Sequence, residues 1–228
     1  MSTQDDVSKQ DDVSTQAPGR GSSDSTDHSA VLRRVADDLA ARYRGVMTSE
    51  EVDDLVQDSY QLLARGAAVR AYLPLLARHF AATRIADLAQ VRGLTGRPVP
   101  KVVFLCVHNA GRSQMAAALL EHHAGGRVDV RSAGSDPVGE LNPLAVEALA
   151  EVGIDLRTAY PKPITDEVIR AADVVVSMGC GDACPVVPGT RYLEWDLPDP
   201  AGLSLDGVRE VREELDRRVR ALLAELTQ

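Results

Sequence analysis

Cysteine is scarce in this chain of 228 residues: there are three, Cys106, Cys180 and Cys184, all in the second half. An odd count with two close together makes a poor structural disulfide framework but a plausible redox set in a reducing compartment. Zinc would want about four ligands, and Cys106 and the scattered histidines show no ligand spacing, so no metal site is expected. Basic charge is short as well. The 25 Lys and Arg face 34 Asp and Glu, for a net charge of −9 and a pI near 5.0; a surface built for nucleic acid would need clustered cations, so none is expected as a partner. No apolar run approaches the roughly 18 residues of a membrane span, and the N-terminus lacks the basic-then-apolar order of a signal peptide. A cytoplasmic protein without a membrane partner is expected. Large apolar side chains are nearly missing from residues 1–28, which carry Asp5, Asp6, Asp11, Asp12, Asp24 and Asp27 and repeat Q-D-D-V-S. Such a segment cannot bury enough surface to offset its ordering entropy, so a disordered acidic tail is expected there.

Beyond the tail the apolar content of 44% supports a real core. Residues 29–92 read as a three-helix bundle. Val31, Leu32, Val35, Leu39 and Tyr43 form one helical stripe. Thr48 with Glu51 is a capping-box signature for a second helix carrying Val52, Leu55, Val56, Leu62 and Leu63. A third starts around Pro74 and carries Leu75, Leu76, His79, Phe80, Ile85 and Leu88, with His79 read as packed. Arg33, Arg34, Arg42, Arg78 and Arg84 read as a solvated polar face. Residues 93–100, rich in glycine and proline, read as a linker.

Residues 101–228 alternate strand and helix. Strands are expected at Val102 to Cys106, Val128 to Arg131, Val174 to Val176 and Tyr192 to Trp195, with S-A-G at Ser132 to Gly134 after the second. Helices are expected at Gln114 to His123, from Pro143 with Val146, Leu149 and Val152, from Thr165 to near Ala172, and from Leu205 to Leu226. The fold class is therefore α/β, with a four-stranded parallel open sheet flanked by helices and preceded by the small bundle. Chemistry in such sheets sits at the carboxyl ends of the strands.

Three loops at those ends carry reactive groups. The first is C-V-H-N-A-G-R-S, where Cys106 is a nucleophile and Val107, His108, Asn109, Ala110, Gly111, Arg112 and Ser113 form an oxyanion cradle. Inward N–H groups, the planar fork of Arg112 and the positive end of the following helix would hold an oxyanion and favour a thiolate. Ser113 can donate to the thiolate, and Asn109 can hold the loop in shape. The second is W-D-L-P-D-P, Trp195 to Pro200, where Asp199, with Asp196 as competitor, can protonate a leaving oxygen. The third is M-G-C-G-D-A-C-P, Met178 to Pro185; its two cysteines stand close enough for a disulfide, and Gly179 and Gly181 are candidate hinges.

Cys106 to Met115 together with Asp199-Pro200 resembles the low-molecular-weight protein tyrosine phosphatase family, specifically its thioredoxin-coupled arsenate reductase branch, over about residues 101–228. The resemblance implies that arsenate is the substrate and that Cys106, Cys180 and Cys184 pass a disulfide outward. It implies no tightly bound cofactor but an external thiol reductant, thioredoxin or alternatively mycothiol. A phosphatase of the same fold would use Cys106, Arg112 and Asp199 and leave Cys180 and Cys184 idle, and a non-enzymatic oxyanion sensor is a third reading. Two positions depart from the pattern. Gly111 stands where the phosphatases commonly have a second cysteine, and Ala117 stands where some reductases of the branch have a glutamate that helps bind potassium.

Overall fold

The computed structural model describes residues 28–67, 71–179 and 185–227. Cys180, Gly181 and Cys184 lie outside the described residues, as does the acidic tail apart from His28. Helices α1 (Ser29–Arg42), α2 (Ser49–Gly66) and α3 (Leu73–Val91) come first. The capping box at the start of α2 is made in both directions: the Glu51 N–H donates to Thr48 Oγ1 at 3.2 Å, and the Thr48 N–H donates to the Glu51 carboxylate at 2.9 Å. His28 is buried and shares a hydrogen bond of 3.0 Å with the Tyr60 hydroxyl.

There follow β1 (Lys101–Cys106), α4 (Arg112–Ala124), β2 (Asp129–Gly134), α5 (Pro143–Ala150), α6 (Asp166–Arg170), β3 (Val174–Ser177), β4 (Arg191–Glu194) and α7 (Leu205–Leu226). The sheet is parallel throughout, in the order β2-β1-β3-β4. Every residue of the central strand β1 is buried, and its side chains alternate between two cores. Val102, Phe104 and Cys106 face a core shared with α4, α5 and α7, while Val103 and Leu105 face Val168 and Ile169 of α6. α6 has only five residues and cannot cover that face alone; α3 packs against it and completes the layer.

This docking accounts for where the helical pattern departs from expectation. Arg84 is not on a solvated face: it is buried, pairs with Glu167 of α6 and donates to Asp58 at 2.7 Å and Ser59 at 3.0 Å. Asp87, also buried on α3, pairs with Lys101 at the start of β1. His79, read as packed, is exposed, as are Leu75 and Val31. α3 serves two neighbours, the bundle core and α6, so its buried arc spans Ala77, Phe80, Ala81, Arg84, Ile85, Asp87 and Ala89 rather than one apolar stripe. Val152 falls beyond α5 and is exposed, and β2 continues through Ser132, Ala133 and Gly134.

Candidate active site

After Cys106 the chain wraps through five residues into α4, whose first residue is Arg112. All six carbonyls from Cys106 to Gly111 accept hydrogen bonds from surrounding segments. Those of Cys106, Val107, His108 and Ala110 accept the N–H groups of Ser135, Asp136, Val138 and Asn142 at 3.2, 2.9, 3.2 and 2.9 Å. Asn109 O accepts the Gln114 side-chain amide at 3.0 Å, and Gly111 O accepts the Met115 N–H at 2.9 Å. In a peptide unit the N–H points opposite to the C=O, so a loop whose carbonyls are engaged outside presents its amides inward. The Asn109 N–H does so visibly, donating to Cys106 Sγ at 3.2 Å.

Cys106 is 3% exposed, with Ser113 Oγ 2.9 Å from its sulfur. Ser113 Oγ also accepts the Asn109 side-chain amide at 2.9 Å, which leaves the hydroxyl proton to point at the sulfur. The Asn109 N–H and the Ser113 hydroxyl thus both donate toward Sγ, at the N-terminal end of α4.

Arg112 donates from Nη2 to Asp199 Oδ2 at 2.6 Å and from Nη1 to the Leu197 carbonyl at 3.3 Å. Asp199 is thus the carboxylate of its loop that reaches the arginine; its other oxygen accepts the Ala201 N–H at 2.9 Å, while Asp196 is exposed. Two glycines keep this arrangement open. A Cβ on Gly179, whose φ is +81°, would sit 3.2 Å from Arg112 Nη1. A Cβ on Gly134 would come within 2.5 Å of the Val107 carbonyl and 2.9 Å of the Asn109 nitrogen, so β2 must end in glycine to lie beneath the loop. The chain leading to Cys180 leaves from the same rim, where the Met178 N–H donates to Leu105 O at 2.8 Å. His108 is exposed at the edge of the cradle.

Gln114, Tyr160 and Lys162 support the loop from outside it, the last two from a stretch that carries no motif. Asn109 adopts φ +49°, a left-handed conformation that asparagine tolerates better than other residues with a Cβ, and it is held there from outside. Gln114 Nε2 lies 3.0 Å from Asn109 O, 3.0 Å from Asn109 Oδ1 and 2.9 Å from Tyr160 O, and the Lys162 N–H donates to Asn109 Oδ1 at 2.8 Å. Lys162 Nζ donates to Tyr160 O at 3.1 Å and lies 4.7 Å from the centre of the Tyr160 ring. Only the left-handed asparagine demanded such support, and a sequence does not print φ.

Burial, with the Arg131 guanidinium nearby, pushes the Lys162 ammonium down to about 8. The unfolded chain holds that proton to the ordinary lysine value, so between pH 8 and about 10.5 it binds more protons than the fold does, and stability rises with pH across that window. Replacing Lys162 by methionine is expected to remove a cost of about 2–3 kcal/mol at pH 7 and almost none at pH 10.5. Denaturant unfolding of both proteins at the two pH values checks this; an equal difference at both would contradict it. Lys162 lines a polar cavity of about 310 Å³ behind the loop together with Ala117, Gln114 and Arg131. Ala117 has no side-chain oxygen to offer a cation there, and the cationic side chains of Lys162 and Arg131 border the same space as the carboxylates of Glu121 and Asp155.

Comparisons with known proteins agree with this geometry. Residues 101–228 match the family described as low molecular weight phosphotyrosine protein phosphatase, and residues 32–89 match a protein-tyrosine-phosphatase-like N-terminal domain. The arsenate reductase of Halalkalibacterium halodurans is 38% identical over 123 residues, 52% of this chain and 86% of that protein. Arsenate reductase 2 of Staphylococcus saprophyticus is 36% identical over 123 residues, 52% of this chain and 92% of its own. Among solved structures, the thioredoxin-dependent arsenate reductase of Corynebacterium glutamicum is 47% identical with a TM-score of 0.79, covering 87% of this chain and 97% of that one, so it spans the helices as well as the sheet. With more than half its length matched and its loop, arginine and aspartate gathered at one end of the sheet, the chain belongs to the low molecular weight phosphotyrosine protein phosphatase family.

Proposed function

We propose that the protein reduces arsenate to arsenite, with residues 101–228 as the catalytic unit, 29–92 as a helical unit and 93–100 joining them. The observation that carries the reading is the cradle itself, in which the loop amides turn inward, the Asn109 N–H meets the Cys106 sulfur and Arg112 meets Asp199. Likeness to a thioredoxin-dependent arsenate reductase along most of the chain decides which oxyanion it serves.

Arsenate enters the cradle and takes the Arg112 fork. Cys106 Sγ forms a bond to arsenic while an As–O bond breaks, the oxygen departing as water with the Asp199 proton. Cys180 then attacks Cys106 Sγ. A sulfur–sulfur bond forms, the S–As bond breaks, and its electron pair stays on arsenic, which leaves as arsenite. Cys184 attacks Cys180, moving the disulfide to Cys180–Cys184 and restoring the Cys106 thiol. The external reductant is a dithiol of the thioredoxin type, with mycothiol as the alternative.

Arsenate-dependent oxidation of thioredoxin, measured beside hydrolysis of p-nitrophenyl phosphate, tests the assignment. Arsenate turnover sustained by thioredoxin is expected; fast ester hydrolysis with no thioredoxin oxidation would overturn it.

A further inference from the structure

The three N-terminal helices share a boundary with the chain that supports the oxyanion loop. Residues 160–167 run between the two. On the bundle side, the Tyr160 ring packs against the bundle core, its hydroxyl donates to the Leu76 carbonyl of α3 at 3.4 Å, and Glu167 pairs with the buried Arg84 of α3. On the loop side, the Tyr160 carbonyl accepts the Gln114 amide, and the Lys162 N–H donates to Asn109 Oδ1. Gln114 has two N–H bonds to share among Tyr160 O, Asn109 O and Asn109 Oδ1, so the place of the tyrosine carbonyl sets where the amide points. Asn109 in turn directs its N–H at the Cys106 sulfur and its side-chain amide at Ser113.

We propose that the helical bundle is a positioning element for the oxyanion cradle, acting through Tyr160 and Gln114 to hold Asn109 in its left-handed conformation. Neither residue touches the reacting atoms; both are positioning residues. The proposal rests on the reading of the Cys106 loop as the oxyanion site. A cradle shaped by aligned amides is sensitive to one peptide turning, because that removes a donor and presents a carbonyl to the anion.

The test uses the full-length chain and inorganic phosphate as the probe, with binding measured by calorimetry and arsenate kinetics in parallel. Tyr160→Ala, which frees the Tyr160 backbone from the ring that anchors it to the bundle, and Gln114→Ala, which removes the amide that holds Asn109, are each expected to weaken phosphate binding about tenfold. KM for arsenate should rise with it. The double variant should lose little more than either single one, because the two residues act in series. Tyr160→Phe, which keeps the ring and loses only the hydroxyl, should bind within about twofold of the unaltered chain. Tyr160→Leu is measured alongside, so that a folding failure of the alanine variant does not remove the test. If Tyr160→Ala or Tyr160→Leu lowers thermal stability but binds phosphate like the unaltered chain, the bundle only adds stability and the proposal is overturned. Additive losses in the double variant would overturn it too. If the unaltered chain itself fails to bind phosphate, the oxyanion reading falls first and this proposal with it.

Discussion

Asp199→Asn is expected to lower kcat for arsenate by about 10²–10⁴, the range for losing a positioned general acid, and at the same time to tighten phosphate binding. The two effects have one origin. Without a ligand, the Asp199 carboxylate occupies one edge of the Arg112 guanidinium at 2.6 Å, and the Leu197 carbonyl takes another donor at 3.3 Å. An arriving oxyanion must displace that carboxylate from Arg112, and an ionised Asp199 beside a bound anion repels it. Protonated, the same carboxyl stops competing and holds the proton the leaving oxygen needs. The carboxyl side chain is 42% exposed, against 12% for Arg112, so it can move aside while the arginine stays. Asparagine is neutral: it yields the arginine to the anion but has no acidic proton to deliver. The split between kcat and affinity separates this role from simple damage, which would weaken both. A kcat within tenfold of the unaltered chain, or weaker phosphate binding, would count against it.

The catalytic strand and loop were legible from local pattern alone. Val102 to Leu105 is an unbroken apolar run, as a strand buried on both faces requires, and the cysteine, arginine and serine that follow stand at fixed offsets whatever the rest of the chain does. The Thr48 and Glu51 capping box is equally local, and it forms as read. What stayed hidden depends on partners far along the chain. Arg84 looks like any helix-surface arginine until Glu167, 83 residues away, is seen to receive it. Asp87 is buried where Lys101 and Arg131 meet it. Ser132 to Gly134 lies beyond the strand that Val128 to Arg131 marks, since its small residues carry no apolar alternation; it is strand because it pairs with Phe104 to Cys106, and glycine lets it end beneath Val107 and Asn109. Lys162 lies in P-K-P, which carries no periodicity, and its place behind the loop comes from the bond its backbone makes to Asn109. Cys106, Arg112 and Asp199 could be named as candidates because chemistry restricts their types; of the supports only Asn109 could be, because backbone atoms do much of the holding.

Cys184→Ser carries the second large effect. With thioredoxin supplied, steady-state arsenate reduction is expected to fall by about two orders of magnitude or more, because the disulfide is left on Cys106. That sulfur is 3% exposed at the floor of its cradle, and an external thiolate must approach a disulfide sulfur directly to exchange with it. The first passage is untouched, since Cys106 and Cys180 together supply the two electrons that convert arsenate to arsenite. Steady-state loss with single-turnover retention is therefore the signature of a relay, which a general loss of fold cannot imitate. The direct measurement is one turnover of Cys184→Ser without reductant, with arsenite quantified and the disulfide mapped by mass spectrometry. The account predicts about one arsenite per enzyme and a bond between Cys106 and Cys180; arsenite without that bond, or no arsenite at all, would contradict it.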